Sequence, residues 1–193
     1  MTYVEIGATF LTTFLGVFLA FGLENYRQRR RTTAWVRRHL EHLLGALGGE
    51  VSNADAVDGL LREQRDACTA WLTAQDRLTD RQWELVGGVV NTSGPDFGAL
   101  LRSEAITVLP TDLALALANT EYGGAILDQV THEARRAHEH VLTLWYDRVV
   151  PLSPADRRRV ERFRDSLEQM AAQVEAVRAP LHSTVTAARA WLG

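Results

Sequence analysis

One cysteine, five prolines and no lysine stand in this chain of 193 residues, and each scarcity excludes something. A single Cys excludes an internal disulfide framework and a Cys-based zinc site. Five Pro with 14 Gly exclude collagen-like and Pro-rich architectures. All 21 basic residues are Arg, which we read as a composition bias rather than a functional device. Strand-like alternation of convincing length is missing too, and GGVVNTSG (87–94) is the one weak candidate. What remains is ordinary for a folded protein: 46% hydrophobic and 23% charged residues exclude wholesale disorder. The length suits one domain with an appendage.

Catalytic signatures are also lacking. His132 and Glu133 open HEARR, but a zinc-protease helix needs a second His where Arg136 stands. His132, His138, Glu139 and His140 are near in sequence, yet His138 and His140 point apart on a helix. His39 and His42 share a face. Either set could bind a metal weakly, but the ligand number is short and solvated helix faces are the ordinary reading. There is no phosphate-cradling Gly loop and no nucleophile elbow. Cys68 lies on an apolar helical face, where a structural thiol is expected. No catalytic residue, cofactor or metal is assigned.

What the sequence does have is an uncharged opening. Ile6 to Leu23 (IGATFLTTFLGVFLAFGL) is a run of eighteen residues without a charge, bracketed by Glu5 and Glu24. As a helix it is about 27 Å long, against roughly 30 Å for a bilayer core. We expect a membrane-spanning helix. A buried core helix and a cleaved signal peptide are the competing readings. The second needs a basic n-region and a small-residue cleavage site, and neither MTYVE nor ENYRQRRR supplies one.

Arg27, Arg29, Arg30, Arg31, Arg37 and Arg38 follow the run, and no basic residue precedes it. The positive-inside rule then predicts an outside N-terminus and a cytoplasmic body, at the inner (plasma) membrane. These six arginines are expected to contact anionic headgroups. The whole chain carries −3; six Arg and two Glu precede residue 39, so the remainder is near −7. A body that acidic argues against nucleic acid as a partner.

Thr12, Gly16 and Ala20 recur at i, i+4, i+8, extended outward by Thr9, Glu5 and Glu24. Such a small-residue face lets two spanning helices approach closely. Three readings stay open: self-association, a homo-oligomeric ion channel lined by Glu5, Thr9, Thr12 and Glu24, or the ordinary abundance of small residues in spans.

Helical spacing continues through Trp35, Val36, Leu40, Leu43, Leu44 and Leu47, with a break expected at Gly48-Gly49. A second helix is expected from Glu50 to Ala74. A third opens at a capping box, Thr79 with Gln82, and covers Trp83 to Val90. Asn91 to Pro95 reads as a loop. A short helix follows over Asp96 to Ser103, then an extended linker from Ile106 to Pro110. A long helix runs from Pro110 or Thr111 through Trp145, and Gly123-Gly124 is the place for a bend in it. Ser153 caps a last helix, with Pro154 at its first position. There Val160, Phe163, Leu167, Met170, Val174, Val177, Leu181, Thr184, Ala188 and Trp191 alternate steps of 3 and 4. A kink is expected at Pro180. This seam fits a bundle within one chain or a coiled coil between chains.

The fold class is therefore all-α: an N-terminal transmembrane helix plus a cytoplasmic antiparallel helical bundle with a long heptad-patterned C-terminal helix. Its expected parts are an anchor (1–26), a basic juxtamembrane helix (27–49) and the bundle (50–193). FLGVFLAFGLENYRQRRR followed by WVRRHLEHLLGAL resembles uncharacterised families of small bacterial single-pass membrane proteins, with Gly16, Val17, Ala20, Asn25 and Tyr26 in the matching positions. Tyr26 stands where Trp is more usual. Leu100 to Tyr122 resembles the same families in its order of short helix, hydrophobic linker and helix. The resemblance implies an anchor plus a helical domain and no assigned activity. The expected role is an oligomerising interaction or scaffolding module with the bilayer, its own copies and an unidentified protein as partners. The alternatives are the channel and a membrane-anchored enzyme with an unrecognised site, for which Asp128 and His132 are the residues to inspect.

Overall fold

The computed structural model describes residues 3–88, 92 and 96–193, with the side chains of 3–13, 46 and 48–53 outside the described set. Every regular element among the described residues is helical. Helix α1 spans Tyr3–Thr73, α2 Asp80–Gly87 and α3 Gly98–Leu101. A 3-10 segment, Glu104–Val108, leads into α4, Thr111–Glu139. Helices α5, Leu142–Tyr146, and α6, Pro154–Leu192, complete the chain.

Three long helices make the bundle. Helix α6 lies between α1 and α4 and runs antiparallel to both. Arg178 pairs with Asp55, and Arg37 bonds to Trp191, fixing the α1–α6 register. Thr120 meets Thr184, fixing that of α4 and α6. The heptad seam is consumed within the chain: Val160 through Ala188 are buried at each predicted position, in two clusters. One cluster gathers Trp71, Trp83, Val141, Phe163 and Met170. The other gathers Val36, Leu40, Phe97, Leu113, Leu117 and Val185. Between them sits a polar and small layer, where Thr120 and Thr184 Oγ1 atoms lie 2.8 Å apart. There the backbone of Gly123 comes close to Val177.

Four expectations need correction. Gly48-Gly49 does not break α1. Two glycines cost a helix about 2 kcal/mol relative to alanine, less than the burial of Leu47 on one side and of Leu61, Cys68 and Trp71 on the other. Ile106–Pro110 is not an extended linker: Ser103 Oγ accepts from Ala105 N–H at 3.1 Å and starts the 3-10 segment. Pro110 constrains only Leu109, which is extended at φ −79°, ψ 143°. The long helix stops at Glu139, not Trp145, and α5 is separate. It turns there because Val141 is fully buried and its N–H bonds back to His138 O. The third helix closes at Gly87, where Gly88 N–H bonds Glu84 O and Leu85 O, short of the expected end; Val90 itself lies outside the described residues.

Gly123 does not end α4, and α6 runs unbroken through Pro180, with Val177 and Leu181 buried on either side of it. The caps form as their spacing predicts. Thr79 N–H bonds Gln82 Oε1 at 2.9 Å and Gln82 N–H returns to Thr79 Oγ1 at 3.3 Å. Ser153 Oγ accepts from Asp156 N–H at 3.2 Å. Of the Asn91–Pro95 loop only Thr92 is described, its Oγ1 2.6 Å from that of Thr131, and most of GGVVNTSG lies outside the described residues.

Candidate functional site

Helix α1 is 71 residues long, about 107 Å, and leaves the bundle at its N-terminal end. Every described side chain from Phe14 to Arg31 is exposed. The exposed residues include Phe14, Phe18 (68%) and Phe21 (74%) on one face of the helix and Leu15, Leu19 (69%) and Leu23 away from it. A contiguous apolar surface of this kind marks contact with lipid or protein. No helix among the described residues is long and apolar enough to cross a membrane. The described part of the run, Phe14 to Leu23, is about 15 Å long. Side chains of its first half, with Glu5, Thr9 and Thr12, lie outside the described residues. Gly16 and Ala20 are exposed, and a Cβ added at Gly16 meets nothing within 4 Å. Glu24 is exposed as well.

The arginines come next along α1. Among the described residues, no carboxylate pairs with Arg27, Arg29, Arg30, Arg31, Arg37 or Arg38; in the body Arg62, Arg81, Arg148 and Arg178 pair, and Arg77, Arg157 and Arg158 do not. Arg37 is held differently. Its Nη2 donates to Trp191 O at 3.4 Å and its guanidinium lies 5.6 Å from the Trp191 ring centroid. That is within cation–π range. On the other flank Gln28 Nε2 donates to Glu104 Oε2 at 3.1 Å. These two ties bind the emerging helix to the end of α6 and to the 3-10 segment. Two recesses flank the junction. One, of ≈ 490 Å³, has Tyr26, Arg29, Arg30, Arg37, Val108 and Trp191 in its wall. The other, of ≈ 430 Å³, shares Arg29 and Val108 and adds Glu104.

The structure scatters the remaining candidates. His138 is buried, its Nε2–H donating to Val86 O at 3.0 Å, with its ring 4.9 Å from that of Phe163. Burial pushes this imidazole below its ordinary value. His132, His140 and Asp128 face outward on α4 and beyond it. His39 stacks on Trp35 at 5.1 Å. No group of three metal-ligating side chains occurs among the described residues. Cys68 is fully buried and its thiol is pushed up to about 12, so it is unreactive.

Two features escaped the sequence reading. Gln64 is buried, its Nε2 donating to Gly88 O at 2.6 Å while Oε1 has no partner among the described residues. Its place was legible, because Val57, Leu61, Gln64, Cys68 and Trp71 follow steps of 4 and 3. The Arg37–Trp191 clamp had no local signal, its members lying 154 residues apart. Comparison with protein-family models, with curated proteins and with solved structures finds no match to this chain.

Proposed function

We propose that this protein is a single-pass, membrane-tethered helical module of the cytoplasmic membrane, with its N-terminus outside and its bundle in the cytoplasm. The supporting observation is the junction: an apolar stretch exposed on all sides gives way, along one unbroken helix, to arginines without carboxylate partners. Seven large apolar side chains between Phe14 and Leu23 are exposed, which water does not favour. Some body arginines pair with carboxylates, whereas none of the six near the junction does among the described residues, which leaves their charge to an outside anion such as a lipid phosphate. In this reading α1 fixes the location and the bundle presents a partner surface. Copies associate through the Thr9, Thr12, Gly16 and Ala20 face.

Carbonate extraction of membranes from cells making the full chain tests the tether. The protein is expected in the pellet; recovery in the supernatant overturns the proposal. Accessibility of cysteines introduced at Thr2 and Gly193 tests orientation, since Cys68 is too buried to react. Gly16→Leu is expected to abolish crosslinked dimers in membranes, and unchanged crosslinking removes the association face.

A further inference from the structure

The recess between α1 and the end of α6 differs in kind from a general basic collar. Tyr26, Arg29, Arg30, Thr33 and Arg37 lie on one side of α1, and Trp191 and Val108 border the open recess from α6 and the 3-10 segment. Arg27 and Arg31 are on the same two turns but take no part in this wall. Arg37 is committed to Trp191, so it shapes the recess. Arg29 and Arg30 line it without a carboxylate partner among the described residues, and Arg29 also borders the neighbouring recess that holds Glu104. The volume, ≈ 490 Å³, is that of a small-molecule site. Guanidinium pairs grip phosphate oxygens in bidentate fashion, which a diffuse positive charge does not.

Position points to the occupant. Arg29 and Arg30 follow Leu23 by six and seven residues, about 9–11 Å along the helix. The headgroup layer is roughly 5–8 Å deep on each side of a bilayer. Helical side chains lean toward the helix N-terminus and long arginines snorkel, so both guanidinium groups reach that layer. Tyr and Trp favour the same depth.

We propose that this recess is a binding site for the phosphate headgroup of one anionic phospholipid, with Arg29 and Arg30 on the phosphate and Tyr26, Val108 and Trp191 as its wall. The inference rests on the membrane-tether reading. Its chemistry is that of any phosphate, and the lipid source is what the site's place on α1 favours.

The test uses the full chain, extracted in mild detergent and examined by native mass spectrometry with phosphatidylglycerol or phosphatidylcholine added. One phosphatidylglycerol per chain is expected to be retained over phosphatidylcholine. Arg29→Gln with Arg30→Gln should lower that retention by at least about tenfold. Arg27→Gln with Arg31→Gln removes the same charge at the same depth, takes away only the general attraction of the collar, and should lower retention clearly less than the first pair. Equal loss in both double variants, or equal retention of the two lipids, overturns the site while the protein still pellets with membranes. Inorganic phosphate at millimolar concentration displacing the lipid through Arg29 and Arg30 overturns the lipid assignment. Recovery of the protein in the carbonate supernatant instead overturns the tether itself. Circular dichroism melting of each variant, expected to match the parent, separates lost binding from lost folding.

Discussion

Arg148 is the one described non-glycine residue with positive φ, at 47°. It follows α5 and completes a Schellman motif: its N–H bonds Trp145 O at 3.1 Å, and Val149 N–H bonds Leu144 O at 3.0 Å. The left-handed backbone costs a residue with a Cβ about 1–2 kcal/mol. The Arg148–Asp80 pair, with side chains 63% and 86% exposed, returns little. Arg148→Gly is therefore expected to raise stability by roughly 0.5–1 kcal/mol in urea unfolding; a loss would show that the ion pair outweighs the backbone. His138 sets a pH dependence. Its folded value lies below the ordinary 6.5 because burial disfavours the charged ring. The unfolded chain therefore binds the proton first on acidification, and unfolding is favoured. The contribution is intact above 6.5 and is lost as pH falls from there through the folded value. His138→Gln keeps a donor for Val86 O and should flatten the urea midpoint between about pH 7 and 5. An unchanged slope would assign the acid sensitivity to other groups.

Glycines show how the elements decide what a residue costs. Gly59 lies inside α1 with nothing within 4 Å of an added Cβ. Gly59→Ala should stabilise by about 0.5–1 kcal/mol, because alanine loses less entropy in a helix. Gly87 ends α2 directly beneath the Trp145 indole, whose Nε1 donates to Trp83 O at 2.7 Å. A Cβ there runs into the ring, so Gly87→Ala should destabilise by roughly 1–3 kcal/mol. Thermal melts of the two variants against the parent check the opposite signs. Both glycines sit in a helix, and only the packing partner separates them. Two further glycines, at 48 and 49, led us to expect a break because propensity is judged from neighbours in sequence. Packing of α1 against α6 on both sides of the pair overrides it.

At the scale of the molecule, two apolar clusters are strung along the same three helices. Leu61 and Leu40 share α1, Leu127 and Leu117 share α4, and Phe163 and Val185 share α6. Neither cluster has a helix of the trio to itself, so they should unfold together. Leu167→Ala in one and Leu117→Ala in the other should each lower a single transition by about 2–5 kcal/mol. Two separated transitions in either variant would show that the halves are independent. The same architecture places the end of α6 beside the arginines of α1, joining the core to the junction.

How much of this was legible depends on the range of the interaction. Read without coordinates, the chain already showed the helical class, the caps at Thr79 and Ser153, the apolar seam of α6 and the uncharged opening with its arginines. Each rests on periodicity or on contacts within about four residues, which any chain with that pattern makes. It took the packed fold to show that the seam serves one chain, that α1 ignores its glycine pair, that His138 turns inward, and that Trp191 meets Arg37. Those outcomes depend on which surfaces meet across tens to more than a hundred residues. Burial there outweighs local propensity, and no local pattern encodes the partner.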